Sequence, residues 1–196
     1  MGEEEQTGLR EALKRTAVAL KRAHIPFALG GGYASWARGG PEPEHDVDFL
    51  VAEADAEPAA RALREQGLRV EHPPEDWLFK VFSDGGTGED GEGRLAMVDV
   101  LFRVAGQSVE HPLLERADEL EVLSIRMPVL SATDLLVTKM RALSEHACDL
   151  GKVLPTARAV REQVDWARVR EQVDDNAFAR AFMHLADELG IAARDT

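Results

Sequence analysis

The sequence is poor in cysteine, in long apolar segments and in basic residues. Its single cysteine, Cys148, excludes an internal disulfide and suits a reducing compartment. No apolar run approaches the ~20 residues that a membrane-spanning helix needs. The first ten residues are acidic and polar, whereas a secretory signal begins with basic residues and continues with apolar ones. We therefore expect a soluble, cytoplasmic protein.

The charge is strongly acidic. The chain has 36 acidic and 23 basic residues, a net charge of −13. This excess disfavours long-range attraction to nucleic acid, so an RNA ligand would need a local basic patch. A well-solvated surface is the simplest explanation of most of the charge. The 196 residues suffice for one domain, or a small pair of subdomains, with a hydrophobic core.

Residues 26–51 contain the pattern on which the functional interpretation depends. A short apolar strand is followed by three glycines, a short helix, a polar loop and a second strand that opens with Asp46-Val47-Asp48. Strand side chains alternate between faces, so Asp46 and Asp48 share a face. A divalent cation such as Mg²⁺ would relieve the repulsion between their carboxylates. Glycines before a helix let a phosphate approach the backbone N–H groups at its N-terminus. The pattern predicts chemistry on a metal-bound nucleotide.

The rest of the first 130 residues alternates between helical and strand patterns. Helices are expected at residues 5–24, 33–38 and 54–66, and strands at residues 25–29, 46–51, 68–72, 77–82 and 95–102, with two short strands around Ser124 within residues 119–130. Residues 83–94 are rich in glycine and acid and contain no lysine. They predict a solvated hairpin connector, not a phosphate-binding loop.

Asp99 is flanked by apolar residues in the strand sequence MVDVLF. A carboxylate in such a position needs a partner, because a buried unpaired charge is unfavourable. One interpretation is an ion pair with an arginine. The other is a third metal ligand beside Asp46 and Asp48.

From residue 131 onward the sequence predicts helices. Ser131 and Asp134 form a capping-box pattern before a long helix. An apolar stripe extends this helix to residue 150, through Leu136, Met140, Leu143, Ala147 and Leu150.

Polar residues and caps complete the helical region. Lys139, His146 and Asp149 lie beside the apolar stripe, where a solvated helix flank with an intrahelical ion pair is the simplest interpretation. Pro155 suits the first turn of the next helix. Asp165 and Asn176 suit N-caps of the last two helices.

The strand, glycine pair, short helix and Asp-x-Asp resemble the first motif of the DNA polymerase β-like nucleotidyltransferases. Thirteen residues separate Gly31-Gly32 from Asp46, and Asp99 matches the third carboxylate of that superfamily. Many members have glycine-serine in place of Gly31-Gly32, so this chain lacks a hydroxyl contact to the triphosphate and keeps the backbone contacts. Within the superfamily the chain looks most like the AbiEii and MenT toxins of toxin–antitoxin pairs. Their later lysine and aspartate correspond to Lys139 and Asp149. The resemblance covers about residues 26–166.

The resemblance implies an α+β fold, with a mixed β-sheet flanked by helices and the acids at one rim. We further expect a nucleotidyltransferase core of residues 1–130 and a helical region of residues 131–196 that packs on the core. The implied reaction transfers a nucleotide from a nucleoside triphosphate to an acceptor and releases pyrophosphate.

The same resemblance implies a role for each site residue. Asp46, Asp48 and Asp99 would bind Mg²⁺ or Mn²⁺, and Asp99 would alternatively accept the proton of the attacking hydroxyl.

The nucleotide contacts are also implied by the resemblance. Gly31 and Gly32 would cradle the β and γ phosphates, and Lys139 would contact the triphosphate. Asp149 would orient Lys139 or the acceptor.

The implied acceptor is the 3′ end of a tRNA, and the implied partner is an antitoxin protein. Basic side chains available for a local RNA face are Lys14, Arg15, Lys21, Arg22, Arg158, Arg161, Arg168 and Arg170. Two alternatives stay open. One is transfer to a small molecule, as in the aminoglycoside and lincosamide nucleotidylyltransferases, for which an acidic cleft suits a cationic acceptor. The other is a non-catalytic interaction protein on the same fold.

Overall fold

The computed structural model describes residues 3–43, 45–83 and 96–192. These residues form a seven-stranded mixed sheet with flanking helices, so the predicted fold class is confirmed. The helices are α1 (Glu3–Arg22), α2 (Gly31–Ala37), α3 (Ala56–Glu65), α4 (His111–Glu115), α5 (Ala132–Arg141), α6 (Leu150–Val160), α7 (Trp166–Val173) and α8 (Ala177–Glu188). The strands are β1 (Phe27–Leu29), β2 (Val47–Val51), β3 (Arg69–Glu71), β4 (Leu78–Ser83), β5 (Ala96–Leu101), β6 (Arg103–Val104), β7 (Gln107–Ser108), β8 (Asp118–Val122) and β9 (Ile125–Val129).

The strands of the large sheet follow the order β3-β4-β5-β2-β1-β9-β8. The β2–β5 and β1–β9 pairs are parallel, and the other neighbours are antiparallel. Side chains on one face, including Val47, Phe49 and Val100, are fully buried. Because strand side chains alternate, the residues between them face the opposite side, where Asp48 and Asp99 are only partly buried.

The helix and strand predictions for the first 130 residues agree with the structure within a few residues. The apolar stripe of α1 is buried, with Leu13, Ala17 and Leu20 completely inaccessible, and α1 packs against β4 and β5. The two short strands around Ser124 are confirmed as the β8–β9 hairpin. Apart from Ser83, the predicted connector of residues 83–94 lies outside the described residues.

The long helix predicted from residue 132 to residue 150 is wrong. Helix α5 ends at Arg141, and α6 begins only at Leu150. The Asn176 side chain donates hydrogen bonds to the carbonyls of Arg141 and Leu143, at 3.3 and 3.0 Å. These tertiary bonds take up carbonyl groups near the end of α5, and the next residues form a turn closed by Ser144 and Ala147. Ala147 is consequently exposed, outside the buried stripe.

The predicted helix caps are confirmed, whereas the predicted position of Pro155 is wrong. Ser131 accepts a hydrogen bond from the Asp134 N–H, Asp165 accepts one from Arg168 N–H, and Asn176 caps α8. Pro155 lies inside α6, because the helix already begins at Leu150.

The buried side chains form two hydrophobic clusters that meet at α5. Leu135 belongs to the cluster around the sheet, while Leu136, Val137 and Met140 belong to the cluster formed with α6, α7 and α8. Helix α5 thus connects the sheet to the helical region. The division of the chain into units at residues 130 and 131 stays a prediction.

An ion-pair network connects the start of α5 to α7 and to the residue that follows α4. Asp134 is only 2% exposed, and its carboxylate accepts hydrogen bonds from Arg116 at 3.1 Å and from Arg168 at 2.9 Å. Arg116 follows α4 and Arg168 belongs to α7. A buried carboxylate needs such partners because its desolvation is unfavourable. The network therefore holds α4, α5 and α7 together.

Within the described ranges, no helix combines the length and the apolar character needed to cross a membrane.

We expect Asp134→Ala to lower the free energy of unfolding by about 3 kcal/mol, because it leaves Arg116 and Arg168 without their shared buried partner. Glu119→Gln is the matched control, since Glu119 is exposed and lies 4.0 Å from Arg126. Its expected effect is below about 0.5 kcal/mol. Urea unfolding of both variants measures the difference. Equal effects of the two substitutions would contradict the role of the network.

Candidate active site

Two aspartates meet across the β2–β5 pair. In the parallel register of these strands Asp48 lies opposite Asp99, with Val47 opposite Val98 and Phe49 opposite Val100. Residues at the same level of adjacent strands project to the same face. The two carboxylates are therefore neighbours on the more open face of the sheet. The pairing of two strands whose partner residues are 51 positions apart in sequence creates this site.

Asp46 lies just before β2, in the polar loop, and it is exposed. It therefore differs from Asp48, which belongs to the strand. In the described parts of the chain, no three His, Cys, Asp or Glu side chains stand in a metal-holding arrangement. The structure brings Asp48 and Asp99 together and leaves Asp46 at the edge of the pair.

The surroundings of Asp48 disfavour the charged form of its carboxyl group. Burial raises its pKa most, and the negative charges of Asp99 and then Asp46 raise it further, to about 6. The positive charges of Lys139 and Lys80 act in the opposite direction. The five side chains are thus close enough to form one electrostatic cluster.

Lys80 was not among the residues singled out from the sequence. It lies on β4 directly opposite Asp99, and its Nζ is 3.1 Å from Asp99 Oδ1. The interpretation of Asp99 as the partner of an arginine is therefore wrong in the identity of the cation, which is this lysine. A signal existed in the sequence: Lys80 is the sole charged residue in the apolar run WLFKVF.

Lys139 and Asp149 have different surroundings. Lys139, on α5, is half-buried; burial lowers its pKa, and the charge of Asp48 opposes this change. Asp149 is exposed before the start of α6, with its carboxylate 3.9 Å from Lys152. The break after α5 separates Asp149 from the helix that carries Lys139, and it also removes His146 from the predicted line of residues.

Gly31 packs against Asp48, and Gly32 packs against Pro43. Gly31 has a φ of +56°, and a Cβ at this position would lie 1.7 Å from Asp48 Oδ2. A side chain at Gly32 would lie 2.7 Å from Pro43 Cβ. Only glycine at position 31 combines this backbone conformation with the close approach of Asp48. The first turn of α2 therefore lies directly beside Asp48.

The residues present fit a divalent cation. Carboxylate oxygens are the preferred ligands of Mg²⁺ and Mn²⁺, and Asp48 and Asp99 are adjacent. The mutual repulsion that raises the pKa of Asp48 would be relieved by a cation between them. In addition, Asp99 already binds one positive charge, because the Lys80 ammonium donates a hydrogen bond to its carboxylate.

We expect Asp48→Asn to stabilise the protein at high pH. The pKa of this carboxyl is higher in the folded protein than in the unfolded chain, so its contribution to stability is complete below about pH 4 and is lost as the pH rises through about 6. Without divalent cations, the variant should exceed the wild type by about 2 kcal/mol at pH 8 and by little at pH 4. Urea unfolding at both pH values measures this, with exposed Glu121→Gln as the control. A stability difference that does not grow with pH would contradict the raised pKa of Asp48.

Comparisons with known proteins agree with this fold. The antibiotic-resistance factor ANT(2″)-Ia in solution has 15% sequence identity and a TM-score of 0.57, over 94% of this chain and 96% of its own. A nucleotidyltransferase structure from Helicobacter pylori has 13% identity and a TM-score of 0.57, over 97% of this chain and 83% of its own. JHP933 from the same organism has 14% identity and a TM-score of 0.56, over 89% and 75%. At these identities the likeness shows the fold. No curated protein matches the chain significantly.

A family model described as "Uncharacterised nucleotidyltransferase" matches residues 2–193, nearly the whole chain. Its extent includes the glycines, the aspartates and the helical region. Membership of this family rules out the alternative of a non-catalytic interaction protein. It gives no direct support to the resemblance to the AbiEii and MenT toxins. The chain belongs to this nucleotidyltransferase family, and the protein is an enzyme of that type.

Proposed function

We propose that the protein transfers a nucleotidyl group from a nucleoside triphosphate to a hydroxyl acceptor, at the rim where Asp48 and Asp99 meet. The observation that carries this proposal is the parallel register that pairs the two aspartates beside Gly31. Nucleotidyl transfer needs anionic ligands for a divalent cation close to a position for phosphate groups. The arrangement supplies both within one small region.

Asp48 and Asp99 would hold the cation, with Asp46 as a further oxygen donor from the preceding loop. Mg²⁺ or Mn²⁺ bound there would neutralise charge on the triphosphate and on the departing pyrophosphate. Asp46 is exposed and precedes β2, so it can approach the cation without a change in the sheet. The three aspartates together would provide the oxygen ligands that such a cation prefers.

The transfer itself forms one bond and breaks another. The acceptor oxygen forms a bond to the α-phosphorus, the bond from that phosphorus to the bridging oxygen breaks, and pyrophosphate leaves. The acceptor hydroxyl loses its proton in this step. If the cation is held without Asp99, this carboxylate is the candidate base, because it lies on the open face of the sheet and is only partly buried.

The remaining residues bind the triphosphate. The backbone at Gly31 and Gly32 would contact the β and γ phosphates, since neither residue carries a side chain of its own. Lys139 would contact the triphosphate as a point charge from α5. Asp149 keeps its predicted role of orienting the acceptor, which its exposed position permits.

We expect Asp48→Asn and Asp99→Asn to lower the rate of nucleotide transfer at least about 10³-fold, because each removes several kcal/mol of electrostatic stabilisation. Release of pyrophosphate from each nucleoside triphosphate, with Mg²⁺ or Mn²⁺ and a pool of acceptors, measures the rate. Lys139→Met should mainly raise KM for the nucleotide. The exposed carboxylate variant Glu121→Gln should match the wild type. Full activity of Asp99→Asn would contradict the proposed site.

A small cationic molecule is the acceptor that the charge distribution favours. The net charge is −13, and the open face around the site adds Glu71 to the aspartates. An acidic cleft raises the local concentration of cations. ANT(2″)-Ia, which shares the fold, is known in complex with adenylyl-2″-tobramycin, so cationic aminoglycosides are suitable test acceptors.

The tRNA 3′ end is the second candidate, and one surface favours it. Lys14, Arg15 and Arg22 of α1 line a groove of about 240 Å³. Four of the other five basic residues considered for RNA are engaged within the protein. Lys21 donates to the Arg126 carbonyl and Arg161 pairs with Glu162. Arg168 bonds to Asp134 and Arg170 bonds to Asp187. An RNA face would therefore centre on α1. In this case the protein would act as the toxin of a pair and have an antitoxin partner.

We expect label from the nucleotide to appear on cationic small molecules and not on tRNA when the two are offered separately. Aminoglycosides, lincosamides and total tRNA are the test acceptors, and growth on expression is the matching cellular measurement. A small-molecule enzyme should leave growth unchanged. Labelled tRNA with growth arrest would contradict the small acceptor and support the toxin. In that case Arg15→Glu with Arg22→Glu should abolish the labelling.

A further inference from the structure

Lys80 is held against Asp99 by the backbone of the sheet. The two residues are direct partners in the antiparallel β4–β5 pair, and Lys80 Nζ lies 3.1 Å from Asp99 Oδ1 and 3.4 Å from Met97 Sδ. The side chains of Lys80 and Asp99 are 29% and 17% exposed. The ammonium is thus partly desolvated, and its position depends on strand pairing and not on a mobile loop.

Lys80 is the cation in a row of charged residues across four strands. The register places Glu71 opposite Lys80, Lys80 opposite Asp99, and Asp99 opposite Asp48. The charges along this row are negative, positive, negative and negative. Lys80 therefore separates the carboxylate pair from Glu71, and its charge also lowers the pKa of Asp48.

A divalent cation and the Lys80 ammonium would compete for the same carboxylate. Both bind to the carboxylate oxygens of Asp99, and a metal cation bound there repels a nearby ammonium group. The displaced Nζ would stay within reach of the site, because β4 remains paired with β5. There it can donate hydrogen bonds to an oxygen of the triphosphate or of the acceptor.

We infer that the Lys80 ammonium pairs with Asp99 before substrate binds. When metal and nucleotide arrive together, it moves away from Asp99 and contacts the substrate. In this role it weakens the binding of metal alone and strengthens the binding of metal with nucleotide. The inference rests on the proposed function, since it assigns the cation to Asp48 and Asp99.

The test measures Mn²⁺ binding to the protein without nucleotide, by electron paramagnetic resonance of the unbound metal. Lys80→Met should lower the Kd for Mn²⁺ about 2- to 5-fold, the range expected when a partly exposed ion pair no longer competes. Lys80→Arg should restore the wild-type Kd, because it keeps the charge. Arg61→Met, which removes an exposed cation of α3, should leave the Kd unchanged.

Turnover provides the second measurement. Lys80→Met should lower kcat at least about 10-fold and raise KM for the nucleotide. The loss of a residue with a purely structural role would lower turnover without lowering the Kd for Mn²⁺. Lys80→Gln serves as a second variant if Lys80→Met unfolds at a lower temperature than the wild type.

The outcomes separate this inference from the proposed function. If Asp99→Asn abolishes Mn²⁺ binding while Lys80→Met and Lys80→Gln leave the Kd unchanged or higher, the role of Lys80 is overturned and the proposed function stands. If Asp99→Asn has no effect on Mn²⁺ binding, the proposed metal site is overturned, and the inference on Lys80 with it.

Discussion

The parallel pairing of β2 with β5 is the constraint on which the site depends. It places Asp48 opposite Asp99, and the side-chain period of two fixes both on one face. A slip of one residue would turn Asp99 into the buried side and bring Val98 or Val100 to the site. The buried residues of both strands prevent this slip, since Val98 and Val100 are completely inaccessible. The hydrophobic core therefore sets the geometry of the charged residues.

Two further elements complete the site around this pair. Helix α2 approaches so closely that only Gly31 fits beside Asp48. Helix α5 brings the charge of Lys139 close to Asp48, and the Asp134 network connects the start of α5 to α4 and α7. The stability of the helical region and the position of Lys139, the lysine proposed to bind the triphosphate, are thereby linked. The excess of carboxylate charge is unfavourable without a cation, which suits a site that acts only with metal and substrate bound.

Much of this arrangement could be predicted from the sequence, because it depends on local patterns. Glycines before a short helix, alternating strands and polar N-caps each leave a clear signal, and the predicted positions of Asp48 and Asp99 required only strand alternation and a family resemblance. The end of α5 could not be predicted, since Asn176, distant in sequence, binds the carbonyls there. Lys80 was missed for a similar reason: its pairing with Asp99 depends on the register across a long connection.

The proposed site requires that Asp48 and Asp99 together bind a divalent cation that carries the nucleotide. A crystal structure with Mn²⁺ and a non-hydrolysable nucleoside triphosphate, with data collected at the manganese absorption edge, tests this directly. An anomalous peak is expected between the two carboxylates, with the triphosphate beside Gly31 and Lys80 displaced from Asp99. A nucleotide bound elsewhere, or manganese that contacts neither aspartate, would contradict it.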